Sequence, residues 1–167
     1  PYIDPSNNPV GTYRRSFTVP AEWAGKEVLL HFGAISGCAF VYVNGQRVGI
    51  SKAAKSPAEF DITKYLKPGD NQLAVQVLRW HDGSYLEDQD FWRVSGIDRD
   101  VYLTALPQQT IWDVFTHADL DPSYQHGQFA ADVTVRQFKG QAAPAQLLVE
   151  VLDPAGKTVL RQQQPVP

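Results

Sequence analysis

Glu87, Asp88 and Asp90 lie within four positions and run directly into Phe91-Trp92-Arg93, the densest gathering of chemically capable side chains in the sequence. Carboxylates cleave glycosides in pairs, an acid and a base or nucleophile set about 5 to 9 Å apart across the scissile bond. Neighbours one or two apart in a loop do not readily face each other that way, and three acids together suit a cation or the hydroxyls of a ligand better. Solvated turn-capping acids, a sugar or cation site and a catalytic pair are the three readings that spacing leaves open. Trp80, Tyr85, Phe91 and Trp92 fall within thirteen residues on or beside the same loop. An aromatic face stacks on the apolar side of a pyranose while nearby carboxylates accept its hydroxyl hydrogens. The competing structural reading has Trp80 and Trp92 pinning the loop to the core, with Arg79 and Arg93 taking its acids side-on through two guanidinium hydrogen bonds.

Other chemistries find less support. His31, His81, His117 and His126 show neither an H-x-x-H nor an H-E-x-x-H spacing, and the single Cys38 offers no thiolate set for zinc and no internal disulfide. Cys38 sits in an apolar run, where a buried thiol is expected. No glycine-rich phosphate loop is present, and neither Ser36 nor Ser95 lies in a G-x-S-x-G elbow. The net charge is -3 on 15 basic and 18 acidic side chains without a Lys/Arg run, which argues against a nucleic-acid partner. Apolar stretches are strand-sized, well under the roughly 20 residues of a spanning helix, so no membrane role is expected for this region. The sequence opens at Pro1 with no initiator Met and reads as trimmed.

The elements that must carry this loop are short strands. PYIDPSNNPVGTY, with three prolines, predicts a lead-in arm without a regular ladder. Period-2 alternation predicts strands over 14–19, 27–35, 38–43, 46–50, 71–80 and 101–106, with Asn44-Gly45 as a hairpin turn, a helical turn anchored by Trp23 and another near 62–66. After Pro107 come strands over 111–117, 128–138, 145–152 and 158–162, the last two joined by a turn at 154–157. No long apolar helix pattern intervenes, so stacked antiparallel sheets are expected rather than βαβ units. About four strands follow Pro107 where an immunoglobulin-like sandwich needs roughly seven, and a truncated second domain is expected.

The run RWHDGSYLEDQDFWRVSGIDRDV, from Arg79 to Val101, resembles glycoside hydrolase family 2, above all its large bacterial β-galactosidases. NPVGTYRRSF, SGCAFVYVNGQRVG and SPAEFDITKYLKPGDNQLAVQVL carry the resemblance through the rest of the first domain. The second segment resembles the family's next domain through strand pattern and position alone. The resemblance implies an all-β fold, with a jelly-roll, galactose-binding-like β-sandwich over 1–106 followed by the N-terminal part of an immunoglobulin-like β-sandwich over 107–167. It further implies a noncatalytic sugar-binding region of an enzyme that hydrolyses terminal nonreducing β-D-galactose residues with retention. The catalytic glutamates would belong to a TIM barrel beyond Pro167, so no catalytic residue is expected within the chain.

By the same resemblance, Asp90 binds the galactose hydroxyls and takes part in a bound sodium site, while Glu87, Asp88, Trp92 and Arg93 shape and brace its loop. Sodium and magnesium are implied for the complete enzyme and no cofactor for this region alone. The implied partners are a β-galactoside, met through contact with the barrel, and further copies in a homo-oligomer. The family also places an asparagine against the same sugar ring, ahead of the matched region, and no counterpart is found. Related β-glucuronidases and β-mannosidases share the architecture, but the full YLEDQD-W-R run sides with β-galactosidase. A freestanding carbohydrate-binding module and a purely structural domain for oligomer assembly are the other readings. The compartment, cytoplasmic or periplasmic in a bacterium, is left open.

Overall fold

A computed structural model describes residues 2–90 and 92–166. The chain divides into two compact units, residues 1–107 and 108–167. In the first, strands β1 (Val10–Thr18), β7 (Asp70–Leu78), β4 (Cys38–Val43) and β5 (Gln46–Ser51) form one antiparallel sheet in that spatial order. A second sheet runs β6 (Ala58–Asp61), β2 (Glu27–Phe32), β9 (Val101–Leu106), and a two-residue pair joins β3 (Ile35–Ser36) to β8 (Gly96–Ile97).

Alternation decides what these sheets bury. Val28, Leu30 and Phe32 of β2 meet Ala39, Val41 and Val43 of β4 and Val75 and Val77 of β7 in one core, joined by Ile35 and Ile62. Side chains at every second position share a face, so each strand contributes its apolar parity inward. This is the expected all-β class, a β-sandwich, and its sheets are not closed into a barrel. The second unit is also all β: β10 (Gln109–Leu120) pairs with β11 (Gly127–Gln137), and β12 (Ala145–Leu152) with β13 (Thr158–Val166).

Several strand limits differ from expectation. β1 begins at Val10 rather than at Arg14, because beyond Pro9 every residue has an N–H to give and β7 offers partners as far as Leu78, opposite Val10. The expected strand over 27–35 stops at Phe32, where Gly33 donates its N–H to Asp100, and Ile35 starts a separate pairing. β6 lies where no strand was expected, its four residues recruited by the free edge of β2. β13 continues past 162 through Pro165, opposite Gln146; a proline is tolerated on a strand edge that does not need its N–H.

The Asn44-Gly45 turn forms as expected, with φ of 52° and 78°. Asn44 also works across the fold: its Nδ2 donates to the Tyr65 carbonyl at 2.9 Å and to Asn71 Oδ1 at 2.8 Å, while its Oδ1 accepts from the Gln72 N–H at 3.0 Å. Asn71, 1% exposed, accepts from the Lys67 N–H and donates to the Lys67 and Gly69 carbonyls. These two amides join the β4–β5 hairpin to the start of β7. Asn71→Ala leaves several buried groups without partners, and chemical denaturation is expected to show a loss of about 2 to 3 kcal/mol; a loss under about 0.5 kcal/mol, as for an ordinary surface change, would contradict this role.

Candidate functional site

The polar loop leaves the end of β7 and returns to the sandwich at β8. Its start is held where backbone passes close to backbone, and its return where backbone passes close to a side chain. A Cβ on Gly37 would stand 2.5 Å from the Leu78 carbonyl oxygen, and one on Gly96 would stand 2.7 Å from the Tyr13 hydroxyl. Both glycines have positive φ, 109° and 126°, so a side chain at either position meets a steric and a conformational penalty together.

The loop opens with a helical turn over Asp82–Tyr85. Buried His81 caps it, its Nδ1 accepting from the Gly83 N–H at 3.2 Å while Ser84 Oγ accepts from the His81 N–H at 3.0 Å. The arm runs alongside. Asn8 exchanges two hydrogen bonds with the Trp80 backbone at 2.8 and 2.9 Å, the Arg79 N–H reaches the Pro9 carbonyl at 3.0 Å, and the Tyr85 hydroxyl donates to the Tyr2 carbonyl at 3.0 Å. Arm and loop, with the segment at Ala54 and Lys55, line an open cleft of about 670 Å³ whose walls include Tyr2, Asp4, Tyr85 and Trp92.

The three acids have different surroundings. Asp88 takes Arg93 side-on, Nε to Oδ1 at 3.0 Å and Nη2 to Oδ2 at 3.1 Å. Glu87 turns toward the segment between β5 and β6 and accepts the Ala54 N–H at 3.3 Å. Asp90 is exposed, lies outside the cleft lining and makes no hydrogen bond or ion pair among the described residues. Arg93 thus pairs with a loop acid as one reading expected. Arg79 does not: its Nη2 donates to the Arg93 carbonyl at 2.8 Å and its guanidinium lies 4.7 Å from the centre of the Trp80 ring. Trp92 is 90% exposed, which removes the reading in which it pins the loop to the core. Phe91 lies outside the described residues.

Two further carboxylates flank the loop. Asp82 accepts Lys52 Nζ at 2.9 Å, and that bond holds its carboxyl below the usual range. Asp98 accepts Lys55 Nζ at 2.7 Å and the Ser36 hydroxyl. Burial pushes the Asp98 carboxyl up, but the bonds from Lys55 and Ser36, with the charges of Lys55 and Arg99, together outweigh it and hold it low. Burial raises the Cys38 thiol. Among the described residues no three His, Cys, Asp or Glu side chains gather where a metal ion could be held. Lys52, Lys55, Ser36, Asp98 and Asn8 were not legible in the sequence as parts of this site, because their partners lie far away along the chain. The one local signal was His81 and Ser84 at capping-box spacing, hidden because histidine is an unusual helix cap.

Residues 2–107 match the family described as "Glycosyl hydrolases family 2, sugar binding domain". The chain belongs to glycoside hydrolase family 2. Among this family's members it is 44% identical over 138 residues to a β-galactosidase of Priestia megaterium, covering 83% of this chain and 13% of that protein. It is 40% identical over 163 residues to a β-galactosidase of Vibrio cholerae, covering 98% of this chain and 16% of that protein. The family 2 chain therefore spans less than a fifth of the length of these relatives. A β-glucuronidase structure from Bacteroides uniformis superposes with a TM-score of 0.85 at 26% identity, over 95% of this chain and 20% of that one.

Because both flanking carboxyls are depressed in the folded chain, their bonds stabilise it above the unfolded value of about 3.9, and that contribution is lost as pH falls through the lower folded values. Carboxyl-carbon NMR titration is expected to place Asp82 and Asp98 below the unfolded value. Lys52→Met should raise the Asp82 midpoint alone and Lys55→Met the Asp98 midpoint alone. An Asp98 midpoint indifferent to Lys55→Met would contradict the geometry.

Proposed function

We propose that this chain is the noncatalytic sugar-side region of a retaining β-galactosidase, in which Asp90 grips the hydroxyls of the terminal nonreducing galactose. The observation that carries the reading is the unequal state of the three acids: Glu87 and Asp88 are each bonded to the protein, and Asp90 presents an exposed carboxylate with no protein partner among the described residues. An ionised carboxylate accepts hydrogen bonds only, which matches sugar hydroxyls as donors. The β-galactosidase names of the Priestia and Vibrio relatives support the substrate.

The same geometry argues against hydrolysis by this chain alone. Asp88 is neutralised by Arg93 and sits two residues from Asp90 on one loop, so the two do not oppose each other across a bond as an acid and base must. The catalytic carboxylates belong, in this reading, to a barrel domain outside the chain. The bracing role falls to Glu87, Asp88 and Arg93, whose bonds stiffen the loop, while Trp92 is exposed and lines the cleft. Residues 108–167, two antiparallel hairpins, are read as the N-terminal part of an immunoglobulin-like sandwich. Asp90 is the one carboxylate this loop leaves available as a sodium ligand. Magnesium finds no donor cluster among the described residues.

In the full-length enzyme, Asp90→Asn keeps the shape and removes the charge from a desolvated hydrogen bond, worth about 1.5 to 3 kcal/mol, so kcat/KM for an aryl β-galactoside should fall roughly 10- to 150-fold. Unchanged kinetics would remove Asp90 from the site. The purified chain by itself should show no hydrolysis, and turnover by the pure chain that Asp90→Ala abolished would refute its noncatalytic role. A saturable galactose isotherm with the isolated chain would favour a freestanding binding module instead.

A further inference from the structure

The Asp88–Arg93 pair is internal to the acidic loop: it stiffens the loop without locating it on the sandwich. Location has to come from contacts with something else. On one side the arm holds the foot of the loop through the bonds of Asn8 and Pro9 to the Trp80 and Arg79 backbone, and reaches its helical turn only through the bond from Tyr85 to Tyr2. On the other, one short segment between β5 and β6 reaches the loop twice and the residue just past its return at β8 once. Lys52 Nζ meets Asp82 Oδ2 at 2.9 Å, the Ala54 N–H meets Glu87 Oε1 at 3.3 Å, and Lys55 Nζ meets Asp98 Oδ2 at 2.7 Å. The three partners at 82, 87 and 98 bracket Asp90 on both sides. Asp98 is itself fixed to the sandwich by the Ser36 hydroxyl. Lys55 holds a φ of 63°, a conformation that residues with a Cβ rarely adopt without support.

We propose that residues 52–55 form a clasp, with Lys52 and Lys55 as positioning residues that set where the acidic loop, and with it Asp90, stands. This rests on the reading of Asp90 as the sugar-gripping residue. Exposed ion pairs add little to overall stability, so the clasp acts on the placement of one loop rather than on whether the domain folds. Loss of the clasp lets the loop sample other positions, and substrate is held less well while the catalytic groups elsewhere keep their rate.

The test uses the full-length enzyme with four variants: Lys52→Met with Lys55→Met, Lys52→Arg with Lys55→Arg, Asp90→Asn, and the methionine pair combined with Asp90→Asn. KM and kcat for 4-nitrophenyl β-D-galactoside are read beside backbone hydrogen exchange across 82–98. The methionine pair should raise KM roughly five- to tenfold with kcat within about threefold of the parent and quicken exchange in 82–98, while the arginine pair, which keeps the charge, should stay near the parent in both. Added to Asp90→Asn, the methionine pair should cost nothing further, since groups acting through one another are non-additive. Unchanged exchange in 82–98, an unchanged KM despite quickened exchange, or a full additional loss on top of Asp90→Asn would each overturn the clasp. Parent-like kinetics for Asp90→Asn alone would sink the sugar reading and not the clasp, which then stands or falls on the exchange of 82–98.

Discussion

Strand β7 is hydrogen-bonded along both edges, to β1 on one side and β4 on the other, and the placement of the acidic loop that follows it depends on that register. Its inward parity puts Val75 and Val77 into the core, almost fully buried. A slip of one residue would turn both to the opposite face, so burial selects the register strongly. At its start Asn71 satisfies four polar groups from three directions, and at its end the backbone passes so close to Gly37 that no side chain fits between. The acidic loop begins one residue later, from a point the core has already fixed.

From that point the loop is governed by electrostatics rather than apolar packing. Leu86, Trp92 and Val94 are exposed, so the loop gains little from burial. Its shape comes from the cap at His81, the side-on Asp88–Arg93 pair and the bonds from Lys52, Ala54 and Lys55. A loop organised in this way can keep a polar tip in water, where an apolar loop would collapse onto the sandwich. The result is a carboxylate, Asp90, left exposed on a loop braced by its charged neighbours.

Much of the sandwich was legible from local pattern. The parity of 27–32, 38–43 and 71–78 named the core side chains, and Asn44-Gly45 named its turn. What local pattern missed was recruitment: β6 forms because β2 has an edge to fill, β1 extends to Val10 because β7 runs on to Leu78, and β13 crosses Pro165 because no partner needs a proton there. In each case pairing with a distant strand overrode the local signal, as happens where strand formation reflects the neighbour more than the residue.

The site divides in the same way. The sequence by itself determined the family, the sheet class and which loop holds the acids and aromatics, because these follow from residue order and short periods. It also placed Arg93 within reach of a loop acid five residues away. Only the tertiary structure decided which acid is left available, for Glu87, Asp88 and Asp90 are chemically alike and differ in what stands beside them. Partners separated by 30, 33 and 43 residues hold Asp82, Glu87 and Asp98. The attraction between charges depends on their distance and their solvent, and for such pairs both are set by the packing of the sheets.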